Sequence, residues 1–218
     1  MNRRRCWICG AGDFTARLLA PRPNDLVIAA DGGLENLKQL RILPQYILGD
    51  FDSLGYRPMG GNVAAYPPEK NDTDMLLAVK CGLENGCGTF LIYGGLGGRL
   101  SHTVANLQVL QFLCRQGCHG ILVGGDSIVT MICNETIQFA EPCAGMLSVF
   151  AQGGAAEGVS IRQMKYSLEK ARFTTDYPLG VSNEFIGEEA EISVENGMLL
   201  LIWEHEQSNF SLMRYRSL

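Results

Sequence analysis

The chain lacks the features that would tie it to a membrane, a nucleic acid or a structural zinc. No apolar run approaches the roughly 20 residues needed to cross a bilayer. The segment after Arg3-Arg4-Arg5 is broken by Gly10 and Gly12, too soon for a secretory leader. That triplet is the only basic run. With 18 Lys and Arg against 23 Asp and Glu, the net charge is −5, and no clustered basic face of the kind nucleic acid requires can be traced. There are three histidines, and the CxxC of Cys6 and Cys9 has no second CxxC or His pair to complete a zinc site. Cys6-Trp7-Ile8-Cys9 reads as a strand, where positions three apart face opposite sides. The eight cysteines are therefore expected to be reduced, mostly buried thiols in a cytoplasmic protein.

What is present describes a soluble globular chain, 19% charged and 46% hydrophobic over 218 residues, enough for one large or two small domains. Short apolar runs at Cys6–Cys9, Leu26–Ala30, Tyr46–Leu48, Val63–Tyr66, Thr89–Tyr93 and Gly120–Val123 read as strands. Helix-period segments lie between them at Phe14–Leu19, Leu34–Leu40, Asp74–Leu83 and Thr103–Arg115, the last with Val104, Leu107, Leu110 and Gln111 on one stripe. This alternation predicts a mainly parallel α/β sheet over residues 1–128. Beyond it come short strand-like runs, among them Ile128–Cys133, Thr136–Phe139, Met146–Ala151 and Val159–Ile161. Glu191–Val194 and Met198–Trp203 flank Asn196-Gly197, a hairpin signal. Residues 129–218 are thus expected to form a smaller all-β domain, carrying a net −6 against +1 for the first part.

In a parallel sheet, ligands bind beyond the carboxyl ends of the strands. The residues expected there are Gly10-Ala11-Gly12-Asp13, Asp31-Gly32-Gly33, Gly49-Asp50-Phe51-Asp52, Lys70 to Asp74, and Gly94 to Arg99. Glycines, carboxylates, a lysine and an arginine on one edge suit a polyphosphate and its metal. Asp50 and Asp52, two apart, would face the same way if extended, and Mg²⁺ is typically held by one or two carboxylates plus phosphates. The plainer reading of that stretch is a solvated acidic turn. Gly94 to Gly98 would let backbone N–H groups approach an anion, with Arg99 as a clamp and the helix start near His102 behind it. No Gly-Lys-[Ser/Thr] follows, and Leu100 occupies the last glycine place of a dinucleotide fingerprint, so neither of those motifs applies. Asn71, Asp72, Thr73 and Asp74 are also good helix-cap residues. His102 is a cap or a substrate contact rather than a general base; His119, His205 and Trp203 read as structural.

Taken in order, these motifs resemble the thiamine pyrophosphokinase (thiamine diphosphokinase) family. The likeness rests on Asp31-Gly32-Gly33, Gly49 to Ser53, Lys70 with Thr73-Asp74, and Gly94 to Arg99 with His102 and Asn106. In the second half it rests on Met164-Lys165-Tyr166 and Gly180 to Phe185. The resemblance implies an α/β N-terminal domain, a β-sandwich C-terminal domain and a homodimer. It also implies transfer of the pyrophosphoryl group of ATP to thiamine with Mg²⁺, giving AMP and thiamine diphosphate. By the same resemblance Asp50, Asp52 and Asp74 hold metal and, with Arg99, form the catalytic set. Asp31, Gly32, Lys70, Asn71, Thr73, Gly97, Gly98, Arg99, Ser101, His102 and Asn106 would contact ATP. Tyr166, Ser182 and Asn183 would line the thiamine pocket, shared across the dimer. Two positions depart from the family pattern: Asn71 and Ser101 stand where carboxylates are usual, with Asp72 one place along from Asn71.

Independently of the resemblance, phosphoryl-type transfer needs positioning and charge neutralisation more than covalent help from the protein. Two other readings remain open. Asp50-Phe51-Asp52 after an apolar strand would serve an Asp-x-Asp phosphatase, although Gly125-Asp126 is followed by Thr130 where a second acid is expected. Asn71 and Ser101 would suit a non-catalytic nucleotide or thiamine sensor.

Overall fold

A computed structural model describes residues 4–51, 56, 58, 63–65 and 71–218. The chain divides into two compact units, Met1–Phe112 with Leu122–Gly125, and Leu113–Ile121 with Asp126–Leu218. The fold is mixed α/β, built on β-sheet.

In the first unit the chain runs β1 (Arg4–Cys9), β2 (Leu26–Ala30), α1 (Gly33–Gln39), β3 (Tyr46–Gly49), β4 (Val63–Ala65), α2 (Asp74–Glu84) and β5 (Cys87–Tyr93); α3 (Leu100–Arg115) begins there, and β6 (His119–Val123) has its last two residues there. The strand order is β6-β5-β1-β2-β3-β4, and β5, β1, β2, β3 and β4 pair in parallel. All five residues of β2 and the last four of β1 are buried, as expected of parallel strands covered on both faces. The chain leaves β1 outward through β2 to β4, then returns to β1's other side with β5. A switch point therefore lies between β1 and β5.

Three predicted helices are present, and two details are corrected. Phe14–Leu19 is not helical. Leu18 has φ +61°, Tyr93 Oη donates to Arg17 O at 3.2 Å, and Arg17 Nη2 donates to Gly124 O at 3.2 Å. A six-residue segment is too short to sustain a helix against such contacts. In α3 the buried stripe is Asn106, Val109, Leu110 and Leu113, whereas Val104 is exposed.

The second unit contains β7 (Ser127–Cys133), β8 (Glu135–Phe139), β9 (Met146–Arg162), β10 (Leu168–Phe173), β11 (Gly180–Glu184), β12 (Ala190–Ser193), β13 (Asn196–Glu204) and β14 (Met213–Ser217). The runs at 146–151 and 159–161 are one 17-residue strand serving two antiparallel sheets. The first part of β9 pairs with β11 and β13, and its last part with β10 and β12. β12 pairs further with β8, and β8 with β14. Consequently β12 and β13 are not a hairpin. Asn196-Gly197 is the point where the chain passes from one sheet to the other. The two sheets meet through Trp203 of β13, edge-on to Phe139 of β8 at 5.7 Å, with Phe185 against both. Thr130 of β7 and the hydroxyl of Tyr215 in β14 are 2.8 Å apart. All eight cysteines are free thiols, six of them buried. Among the described residues, no helix is long and apolar enough to cross a membrane.

Candidate active site

The loops that follow β1 and β5 are laced together at the switch point. Gly10 N donates to Tyr93 O at 2.8 Å, Gly12 N to Gly94 O at 3.0 Å and Asp13 N to Leu96 O at 3.2 Å. So close an approach excludes side chains. A Cβ on Gly12 would lie 2.5 Å from Gly94 O, and one on Gly94 2.4 Å from Gly10 O. Part of the glycine richness is thus a packing requirement. Gly98 differs, since a Cβ built there meets nothing within 4 Å, although its φ is +59°. The described residues do not fill the space above Gly98.

That space belongs to a cleft of about 500 Å³ in the first unit. It is lined by Asp31 and Asp50 from the loops after β2 and β3, by Thr73 and Asp74 at the start of α2, and by Gly97, Gly98, Arg99, His102 and Asn106. These nine anticipated residues therefore come together. Gly32, Asn71 and Ser101 do not line the cleft. Asp52 and Lys70 lie outside the described residues. The lining also includes Asp72 and three side chains that no motif singled out: Ala30, Met75 and Ala105. Apolar residues of ordinary core type carry no signal of lining a site.

Several lining side chains serve the scaffold. Thr73 is the N-cap of α2, its Oγ1 accepting from Leu76 N at 3.2 Å. Asn106, buried in α3, donates through Nδ2 to Gly95 O at 2.7 Å and so fixes the glycine loop. Behind the lining, Thr103 Oγ1 donates to Gly97 O at 3.3 Å. Asp72 accepts from Lys80 Nζ at 2.6 Å.

Among the described residues, Asp31, Asp50, Asp72 and Asp74 share the cleft with one arginine, Arg99, and no lysine. Such a lining would repel a bare polyphosphate, and a divalent cation reverses that balance. Among the described residues, no group of three His, Cys, Asp or Glu side chains closes into a metal cage. Carboxylates spread along an open cleft fit Mg²⁺, which keeps waters and shares its coordination with substrate phosphates.

The remaining anticipated residues lie in the second unit. Tyr166 is exposed, and Asn183 beneath it is 4% exposed. Asn183 Oδ1 accepts from Tyr166 N and Glu184 N, both at 2.9 Å, and Nδ2 donates to Tyr166 O at 2.7 Å. Ser182 has φ +56°, and its N–H donates to Ser148 Oγ at 3.1 Å. Lys165 Nζ lies 5.5 Å from the centre of the Tyr166 ring.

Comparison with known proteins agrees in both halves. The model of the thiamin pyrophosphokinase catalytic domain matches residues 20–122, and that of the thiamin pyrophosphokinase vitamin B1 binding domain matches residues 134–199. Thiamine pyrophosphokinase of Bacillus subtilis (strain 168) is 25% identical over 184 residues, which is 81% of this chain and 86% of that protein. The crystal structure of a Bacillus subtilis thiamine pyrophosphokinase has a TM-score of 0.82 at 22% identity, covering 93% of this chain and 99% of that one. A thiamin pyrophosphokinase family protein from Enterococcus faecalis gives 0.74 at 26% identity, covering 94% and 100%.

Proposed function

Because this chain belongs to the thiamine pyrophosphokinase family, it is an ATP-dependent diphosphotransferase that makes thiamine diphosphate, and we propose how its residues divide the work. Residues 1–128 are the catalytic domain and take Mg·ATP in the cleft. Residues 129–218 are a β-sandwich that binds thiamine and pairs with a second copy, in the cytoplasm.

The observation that carries the cleft assignment is its place. Glycine loops, an arginine and carboxylates converge at the switch point between β1 and β5, where open parallel sheets bind ligands. Asp50 and Asp74, with Asp52, would hold Mg²⁺, which when bound offsets phosphate charge. Arg99, with Lys70, stabilises charge on the transferred and leaving groups. Asp52 and Lys70 are assigned from the sequence. The hydroxyethyl oxygen of thiamine attacks the β-phosphorus. The bond from that phosphorus to the oxygen shared with the α-phosphate breaks, and AMP leaves with that oxygen. The hydroxyl proton passes to Asp50 or Asp52. Asn106 and Thr103 keep the glycine loop in place through this exchange.

Tyr166 offers an exposed ring to a cationic thiazolium, with Asn183 holding its backbone and Ser182 beside it. Pairing of two copies is supported by Tyr177, Leu179 and Val181. They are 65%, 44% and 47% exposed and lead along β11, which among the described residues pairs only with β9.

Purified protein incubated with thiamine, ATP and Mg²⁺ should yield AMP and thiamine diphosphate in equal amounts. Production of ADP, thiamine-independent release of phosphate, or no turnover would each overturn the reading; the second would favour a phosphatase and the third a sensor.

A further inference from the structure

Asn71 and Asp72 are adjacent in sequence, yet only one of them reaches the cleft. Asn71 is exposed and does not line it, whereas Asp72 is partly buried and does. The carboxylate is therefore one residue further along the chain than the family pattern places it, and the structure shows what holds it there. Lys80 Nζ lies 2.6 Å from Asp72 Oδ2.

Lys80 sits two turns into α2. Residues 73, 76, 77 and 80 share a helix face, and helical side chains lean toward the N-terminus, so Lys80 reaches back past the Thr73 cap to Asp72. The partners' side chains are 43% and 29% exposed. An ion pair so open to solvent contributes little to stability. Its main consequence is orientation. The ammonium holds Oδ2 and so restricts the directions open to Oδ1. It also offsets one of the four carboxylates that the described residues bring to the cleft and eases their mutual repulsion before any cation arrives.

We infer that Asp72, aimed by Lys80, supplies to Mg·ATP the carboxylate contact that the solvent-facing amide of Asn71 does not. Lys80 is then a positioning residue for the reaction. The inference rests on the reading of the cleft as the Mg·ATP site. Because Mg²⁺ demands near-ideal octahedral geometry, one misdirected carboxylate weakens its binding.

Mn²⁺ replaces Mg²⁺ as the probe, and free Mn²⁺ is measured by electron paramagnetic resonance. It is titrated into the full chain together with an ATP analogue carrying a methylene between the α- and β-phosphorus. Asp72→Asn and Lys80→Met should each weaken Mn²⁺ binding about tenfold or more, as loss of an orienting partner does at other metal sites. Lys80→Arg should restore most of it. Asn71→Asp, added to Asp72→Asn, should not, because that exposed side chain does not line the cleft. Thermal midpoints show whether each variant is folded. Mn²⁺ affinity within twofold of the unaltered chain in Asp72→Asn, or in a folded Lys80→Met, overturns the inference. So does recovery by Asn71→Asp. An unaltered chain that binds no Mn²⁺ with the analogue overturns the cleft reading itself, and the inference with it.

Discussion

Asn183 carries more than its place in a motif suggests. Buried beneath an exposed tyrosine, it spends both ends of its amide on backbone groups, accepting two N–H bonds and donating one to Tyr166 O. Asn183→Ala leaves two donors and one acceptor without partners, at about 1–3 kcal/mol for such a loss. The expected outcome is a lower thermal midpoint and a raised KM for thiamine, with KM for ATP within twofold of the original. Steady-state kinetics with each substrate varied in turn measure that split. Equal rises in both constants would mean that Asn183 acts only through general stability. Asn183→Asp should be intermediate, since it keeps the acceptor but sets a carboxylate oxygen against Tyr166 O. The same residue scale shows what spacing can and cannot reveal. The positions of Asn106, Thr73 and Asn183 were legible as polar residues inside motifs. Their bonds to Gly95 O, Leu76 N and Tyr166 are set by backbone geometry that no spacing encodes.

Among the elements, the two glycine loops do different jobs. The β1 loop and the start of the β5 loop exclude side chains because their own backbones touch. Gly98 has open space above it and only its dihedral to satisfy. Gly98→Ala should therefore fold, at a cost of about 1–2 kcal/mol for the left-handed conformation, while raising KM for ATP severalfold. Gly12→Ala, aimed at a carbonyl 2.5 Å away, should give little folded protein. Circular dichroism melts and ATP-dependent kinetics on both variants test the contrast. Unchanged KM for ATP in Gly98→Ala would show that no phosphate approaches that backbone. α1, α2 and α3, together with the parallel strands, were readable because each repeats its period over enough residues. The Phe14–Leu19 segment misled because six residues can mimic a helical stripe while their polar groups bond to Tyr93 and Gly124. Asn196-Gly197 misled because a turn signal reports a change of direction and not the partner strand. Here β9 stands between β12 and β13 and pairs with both.

At the scale of the molecule, buried thiols set an alkaline limit on stability. Burial pushes the Cys9 thiol from its usual value near 9 up to about 12, and the Cys143 thiol up to about 11. Cys114 is raised as well, first by burial and then by Cys133 and Glu135. Cys87 runs the other way, lowered mainly by a hydrogen bond from Cys6, whose own thiol is raised by burial and by that same bond. The raised thiols bind protons equally in the folded and unfolded chains below pH 9, so their contribution there is complete. Between pH 9 and about 12 the unfolded chain has released protons that folded Cys9 still holds. The unfolded state then binds fewer protons, and stability falls as pH rises. Urea midpoints in reducing buffer should therefore hold steady to pH 9 and decline beyond it. Each fully unmatched thiol steepens that decline by about 1.4 kcal/mol per pH unit. Cys9→Ala should lower the midpoint at every pH, because it leaves a void between β1 and its neighbours, yet make the alkaline slope shallower. An unchanged slope would mean that Cys9 ionises in the folded chain, against its complete burial in the strand that leads to the cleft.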